Sequence, residues 1–253
     1  MHPVLLKIGP VKIYSYGFFV AISFYIGYLI LKRNSRIFKI EKKHIDEILS
    51  YLLIYGLIGS RIFYFIFWDF ETLLSHPYEF LFIWKGGLSI FGSIFGGLIG
   101  IIHFSKRKRI DIKNLLDLVA TALPLSQAIG RIGCLFAGCC YGKETDFFLH
   151  IKFKNPHSLA PLNVPLHPVQ IYEMFFDFLI FLYLNRLKLK RKYNGEITLN
   201  YFILYPVVRF FLEFIRGDAV YFSFFPYLSK MQILCIISVT ISFFLMKRWK
   251  KLK

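Results

Sequence analysis

Arginine, glutamate and aspartate recur inside stretches otherwise built from Leu, Ile and Phe, and these are the residues with which the chain could do chemistry. Tyr205, Arg209, Glu213 and Arg216 follow at spacings of four, four and three, which stacks them on one face of a helix. Gln170, Glu173 and Asp177 form a second stripe of this kind, Gln127, Arg131 and Cys134 a third, and Arg61 stands in a further apolar stretch. Three arginines (Arg61, Arg131 and Arg209) against two or three carboxylates leave a cationic surplus. In a low dielectric, surplus guanidinium suits a bound phosphate, which accepts two parallel hydrogen bonds from it.

The elements that must position these groups follow from composition. Of 253 residues, 56% are hydrophobic and 19% aromatic, with thirty Phe, and the mean hydropathy is +0.53. Disorder and an ordinary soluble enzyme are both excluded by such values. A membrane span needs about 20 mostly apolar residues. Seven stretches qualify: Ile13 to Leu31, Ile48 to Trp68, Gly86 to Phe104, Leu115 to Phe136, Val169 to Leu187, Ile197 to Ile215 and Leu228 to Met246. The expected fold is an all-α integral membrane protein, a single domain over residues 1–253 forming a bundle of seven transmembrane helices.

The net charge of +17 is distributed unevenly. Basic clusters follow the first span (Lys32 to Lys43), the third (Lys106 to Lys113), the fifth (Arg186 to Lys192) and the seventh (Lys247 to Lys253), whereas the intervening connections are mixed or acidic. Cytoplasmic loops carry such an excess, so the N terminus is expected outside and the C terminus in the cytoplasm. Four loop clusters do not make the continuous basic face that tracks nucleic-acid phosphates, and no nucleic-acid partner is expected. The first apolar run lacks the basic start and small-residue cleavage pattern of a signal peptide and reads as a retained span.

On this path Arg61, Arg131, Arg209, Glu213 and Glu173 all reach the outer-leaflet depth, from four different helices, and a shared polar cavity explains the agreement. Gly92, Gly96 and Gly100 make two small-xxx-small steps, either a helix-packing seam or space for an acyl chain. Residues 137–166, with prolines at 156, 161 and 165, suggest an irregular outer segment capping the site. Cys134, Cys139 and Cys140 lie at the end of the fourth span without a C-x-x-C spacing, which argues against a membrane thiol oxidoreductase, and a zinc site of these thiols with His150 or His157 matches no familiar ligand spacing; neither a metal nor any other cofactor is expected.

Three segments carry a recognisable pattern: Gly130-Arg131-Ile132-Gly133 through Tyr141-Gly142, His167-Pro168-Val169-Gln170-Ile171-Tyr172-Glu173, and Arg209 to Arg216. With Ser15-Tyr16-Gly17, Gly59-Ser60-Arg61 and Gly86-Gly87-Leu88-Ser89 in register, the chain resembles the prolipoprotein diacylglyceryl transferase family over nearly its whole length. The resemblance implies a multi-pass enzyme of the bacterial cytoplasmic (inner) membrane. Such an enzyme moves the diacylglyceryl group of phosphatidylglycerol to the lipobox cysteine of a preprolipoprotein, forming a thioether and releasing glycerol phosphate. A lipid-binding or transport homologue on the same scaffold is the alternative.

Carried onto this sequence, the resemblance makes Arg131 and Arg209 binders of the phosphoglycerol head, with Tyr16, Gln170 and Tyr205 as orienting groups. Glu173 and Glu213 hold the arginines, and Arg61 and Arg216 contribute to substrate binding. Apart from the resemblance, His167 is the nearest titratable group in the sequence to serve as base for the acceptor thiol, while a His before Pro at a helix start also reads as a cap. The chain departs from the family signature G-R-x-x-N-x-x-N-x-E-x-x-G by carrying Cys134, Ala137 and Cys139 at its two asparagines and its acid. Phe91 stands where the family has a histidine.

Overall fold

The structure is a computed structural model that describes residues 2–9, 11–222 and 225–251. It is mostly helical, and the chain divides into two compact units, residues 32–116 and residues 1–31 with 117–253.

In the unit of residues 32–116 the chief elements are α2 (Lys43–Trp68) and α4 (Ile90–Lys108), with the short α3 (Phe70–Ser75) between them. Ser89 caps α4, its hydroxyl accepting from the Gly92 amide. α2 and α4 meet backbone to backbone along a glycine seam. A Cβ on Gly92 would sit 2.3 Å from the Gly59 carbonyl oxygen, one on Gly59 2.4 Å from that of Gly92, and one on Gly96 2.0 Å from that of Tyr55. The small-xxx-small steps therefore serve packing, and the room left by the missing side chains is filled by α2 rather than by an acyl chain.

In the other unit a hairpin of β1 (Val4–Ile8) and β2 (Val11–Tyr14) precedes α1 (Ser15–Asn34), where the hydropathy of the sequence predicts only the start of a span. The fourth apolar stretch, expected as one helix, is two: α5 (Ile112–Ala120) and α6 (Leu123–Ala137). A tight turn joins them, the Ala122 amide donating to the Val119 carbonyl at 2.9 Å. Pro124 has no N–H to contribute to a continuous helix, but its fixed φ suits the first turn of α6. α1 lies against α6 through Gly133, whose Cβ would touch Phe19 and Tyr16, and through stacked Phe19 and Phe136 rings 5.5 Å apart.

The same unit contains α7 (Val169–Leu187), α8 (Glu196–Glu213) and α9 (Lys230–Lys251), with β5 (Tyr221–Phe222) paired to β6 (Phe225–Ser229) before α9. Asp117 at the end of α5 caps α8, accepting from the Gly195 and Thr198 amides and the Thr198 hydroxyl at 2.8–2.9 Å. Pro206 interrupts the α8 hydrogen-bond ladder, and the Phe202 carbonyl it leaves without an amide partner accepts instead from Ser238 Oγ of α9 at 3.1 Å. The segment 137–166 is less irregular than expected: β3 (Ile151–Lys152) pairs with β4 (Pro165–Leu166), and Phe153, Ala160 and Leu166 form a small core of its own.

Helix occupies all seven apolar stretches, and among the described residues four segments are long and apolar enough to cross a bilayer: Ser15–Phe38, Lys43–Trp68, Ile112–Ala137 and Lys230–Lys251. Large apolar side chains point outward along them, among them Ile54, Ile58, Ile66, Phe243 and Phe244. Water does not tolerate so extensive an apolar surface, whereas lipid does. The chain is a helical membrane protein.

Candidate functional site

The charged residues of α6, α7 and α8 meet in one buried cluster centred on Glu173, in the first turns of α7 and 3% exposed. One carboxylate oxygen lies 2.9 Å from Arg131 Nε, and the other 3.2 Å from Arg216 Nη1 and 3.6 Å from Arg209 Nε. Glu213 is the second anchor. It pairs with Arg209 one helical turn earlier and approaches Arg216 Nε at 3.7 Å, and it accepts a 2.8 Å hydrogen bond from Ser229 Oγ. Asp218 closes the set by holding Arg216 Nη2 at 2.7 Å.

Arg216 can turn back because α8 ends at Glu213 and the following backbone is fixed from outside. The Lys143 amide donates to the Ile215 carbonyl at 2.7 Å, the Gly217 amide to that of Tyr141 at 3.0 Å, and the Gly142 amide to that of His167 at 3.2 Å. Glycine is needed where these strands of chain touch. A Cβ on Gly142 would fall 2.4 Å from the His167 oxygen, and one on Gly217 2.8 Å from that of Gly142. Ser229 is fixed by a capping box at the start of α9, its amide donating to Gln232 Oε1 at 2.8 Å and its hydroxyl accepting from the Gln232 amide at 3.1 Å.

Beside the ion pairs stands a sulfur cluster. α6 ends at Gly138, whose φ of 81° reverses the chain, so that Cys139 and Cys140 fold back beside Cys134. All three thiols are free, and their sulfurs lie within 4.8 Å of one another. Arg131 Nη1 lies 3.6 Å from Cys140 Sγ, and Gln170 Nε2 donates to the Cys139 carbonyl at 2.8 Å. Hydrogen bonds from Cys134 and Cys139, helped by the Arg216 and Arg131 guanidiniums, hold the Cys140 thiol well below its ordinary pKa, whereas Cys139 is pushed up by the hydrogen bonds of its two neighbours and by burial.

Of the residues expected at the site, Arg131, Glu173, Arg209, Glu213 and Arg216 are in mutual contact. Tyr205 is within electrostatic reach of Arg131, Glu173 and Arg209, its ring stacked 5.7 Å from that of Tyr201. Gln170 reaches the cysteine turn, and Tyr16, 48% exposed, is within electrostatic reach of Arg131 and the three cysteines. Among the described residues no hydrogen bond or ion pair joins the His167 ring to the cluster, and its buried Nδ1 has no partner. Arg61 belongs to the unit of residues 32–116, where its guanidinium donates to the carbonyls of Glu79, Phe80, Gly86 and Gly87.

The expected cationic surplus is corrected accordingly. Arg61 is spent on backbone, and Asp218 brings the ion-paired set to three arginines and three carboxylates, with Asp177 near Arg131 as well. What the cluster offers an anion is donor geometry rather than net charge. Among the described residues Arg131 gives Nε to Glu173 and Nη1 to sulfur, a weak acceptor, so its outer N–H groups can turn to an oxyanion. Gln170 Oε1 and Asp177 Oδ2 are buried without hydrogen-bond partners among the described residues, marking polar capacity still to be used. Sequence reading missed Ser229 and Gln232, for which the S-x-x-Q spacing was the available signal.

The sequence profile of the family described as prolipoprotein diacylglyceryl transferase matches residues 3–248. A phosphatidylglycerol–prolipoprotein diacylglyceryl transferase of Clostridium tetani is 35% identical over 244 residues, covering 96% of either chain. The second such enzyme of Clostridium perfringens is 40% identical over 220 residues, 86% of this chain and 84% of its own. That of Ehrlichia canis is 30% identical over 251 residues, 96% of this chain and 94% of its own. Matches that run almost end to end and include the segments bearing Arg131, Glu173 and Arg209 leave one conclusion: this chain belongs to the prolipoprotein diacylglyceryl transferase family.

Proposed function

We propose that this protein transfers the diacylglyceryl group of phosphatidylglycerol to the lipobox cysteine of a preprolipoprotein. The observation that carries the reading is the convergence of Arg131, Arg209 and Arg216 on Glu173 in a member of this family. In the reaction the acceptor sulfur forms a bond to the glyceryl carbon, and the bond from that carbon to the phosphate-ester oxygen breaks. Glycerol phosphate leaves with the electron pair, and the thiol proton departs. Charge grows on the phosphate oxygens in the transition state, where the forked donors of Arg131 and Arg209 stabilise it.

Glu173 and Glu213 hold the arginines in pose, and Arg216 completes the cradle. Tyr205, Gln170 and Tyr16 orient the headgroup and the incoming peptide, and His167 takes the acceptor proton. Arg61 acts one step removed, by fixing the backbone of residues 79–87. The chain crosses the bacterial cytoplasmic membrane seven times with its N terminus outside and its four basic clusters in the cytoplasm. This brings the cluster to the outer leaflet, under the 137–166 segment. The donor lipid and the membrane-tethered acceptor are both at hand at that depth.

Purified full-length protein incubated with labelled phosphatidylglycerol and a lipobox peptide tests the reading. Thioether product in the wild type and its loss in Arg209→Ala are expected. Headgroup binding without product in the wild type would overturn it in favour of a lipid-binding protein.

A further inference from the structure

The transferase reading leaves one chemical need thinly met. The acceptor thiol must become a thiolate, yet Glu173, Glu213 and Asp218 are all committed to arginines. The sulfur cluster offers another route. Three sulfurs within 4.8 Å of one another make a face of soft donors. A tetrahedral zinc ion with Zn–S bonds of about 2.3 Å spaces its sulfurs by roughly 3.8 Å, so closing around an ion needs movement of about 1 Å at most.

The donors are pre-positioned. Cys134 is fixed in α6, the Cys139 carbonyl is held by Gln170, and the chain after Cys140 is pinned at Tyr141, Gly142 and Lys143 by the backbone bonds to Gly217, His167 and Ile215. Cys139 and Cys140 are partly exposed, which gives an ion and a fourth ligand a way in. The surrounding charge has the right sign. Four thiolates on zinc carry a net charge of −2, and two guanidiniums, Arg131 and Arg216, already interact with Cys140. Among the described residues no histidine or carboxylate completes the set, so three protein ligands leave one position open, the arrangement of a catalytic rather than a structural zinc site.

We propose that Cys134, Cys139 and Cys140 bind zinc(II) as a trithiolate whose open fourth position takes the acceptor thiol, an assignment that rests on the transferase reading for the identity of that ligand. Coordination replaces the acceptor S–H bond by a Zn–S bond, and the proton leaves through water to His167, which returns it to solvent. The bound sulfur keeps a lone pair for attack on the glyceryl carbon, and no oxidation or reduction occurs. The thioether product is a poor ligand and dissociates.

The full-length protein, purified without oxygen and stripped with a chelator, is titrated with cobalt(II) as a spectroscopic stand-in. One equivalent should bind with intense thiolate-to-cobalt charge-transfer absorption, which zinc then abolishes. Cys134→Ser, Cys139→Ser and Cys140→Ser should each weaken binding by roughly 100-fold or more, and Cys235→Ser should leave it unchanged. A lipobox peptide should shift the cobalt spectrum toward a four-sulfur set, whereas its serine analogue should not. X-ray absorption of the zinc-loaded wild type, which needs no variant, should count three sulfurs alone and four with peptide.

No stoichiometric metal binding, binding unaffected by the three substitutions, or a disulfide among these cysteines in the anaerobic protein would overturn the site. Full turnover in the chelated protein or in the triple serine variant would overturn its role in the reaction and leave the transferase reading standing. Metal and peptide binding with no thioether formed would do the reverse.

Discussion

Asp117 and Glu173 are both buried carboxylates in the same compact unit, 0% and 3% exposed, and both face an arginine, yet they are bound in different ways. Asp117 takes its short hydrogen bonds from two backbone amides and a threonine hydroxyl, with Arg191 at a longer 3.4 Å. These donors are part of α8 and cannot leave without unwinding it. Glu173 is held by three guanidiniums on flexible stems, each with further N–H groups that can bond another oxyanion. A carboxylate satisfied by backbone is scaffold, whereas one satisfied by arginines can lend its partners to a ligand.

Replacement of Arg209 tests the contrast most severely. Arg209→Lys keeps the charge and loses the planar fork, and turnover should fall on the order of 100- to 1,000-fold while the unfolding temperature stays within a few degrees. Activity retained by the lysine would show that charge alone suffices and would remove the fork from the mechanism. Asp117→Ala should give the mirror image. Loss of the cap and of the buried acceptor of Arg191 should cost about 3 kcal/mol, read as a lowered unfolding midpoint in detergent, with kcat per folded molecule unchanged. If kcat fell with stability intact, Asp117 would have to be counted with the site.

The same contrast separates what the sequence disclosed from what it concealed. Arg131, Glu173, Arg209 and Glu213 were legible because charge inside an apolar helix is costly and its spacing fixes a face. The commitment of Arg61 was not, because it donates to backbone carbonyls, and a carbonyl leaves no trace in residue identity. The break between α5 and α6 was invisible to hydropathy, which scores apolar Ala and Leu alike on both sides of the turn. The sulfur cluster was hidden by its spacing: four residues separate Cys134 from Cys139, and only the left-handed turn at Gly138 brings them together. The hairpin before α1 was absorbed into the first apolar run because Ile13 suits a strand as well as a span.

The glycine seam of α2 and α4 lies at the scaffold end of the comparison, since it carries no charge at all. Gly96→Ala would drive a methyl group into the Tyr55 carbonyl, and the helices must part to admit it. A loss of about 2 kcal/mol in the unfolding equilibrium is expected, with the KM for phosphatidylglycerol unchanged. A raised KM at unaltered stability would mean that the seam shapes a lipid pocket after all.

The smallest effect falls where scaffold and site share one atom. Ser229 Oγ accepts from the Gln232 amide, as a cap should, and donates to Glu213, as a member of the charged cluster should. Ser229→Ala removes both bonds and should cost about 1 kcal/mol of stability through the lost cap. It should also lower turnover severalfold, because Glu213 then holds Arg209 less firmly. Ser229→Thr restores the hydroxyl in both directions, as acceptor and as donor, and should recover stability and turnover together. Ser229→Asp separates the two functions: its carboxylate caps α9 as well as serine does, yet it cannot donate to Glu213 and sets a second negative charge against it. Stability recovered without turnover in Ser229→Asp would place the contribution of Ser229 to the site in its hydrogen bond to Glu213, whereas recovery of both would reduce the residue to a helix cap.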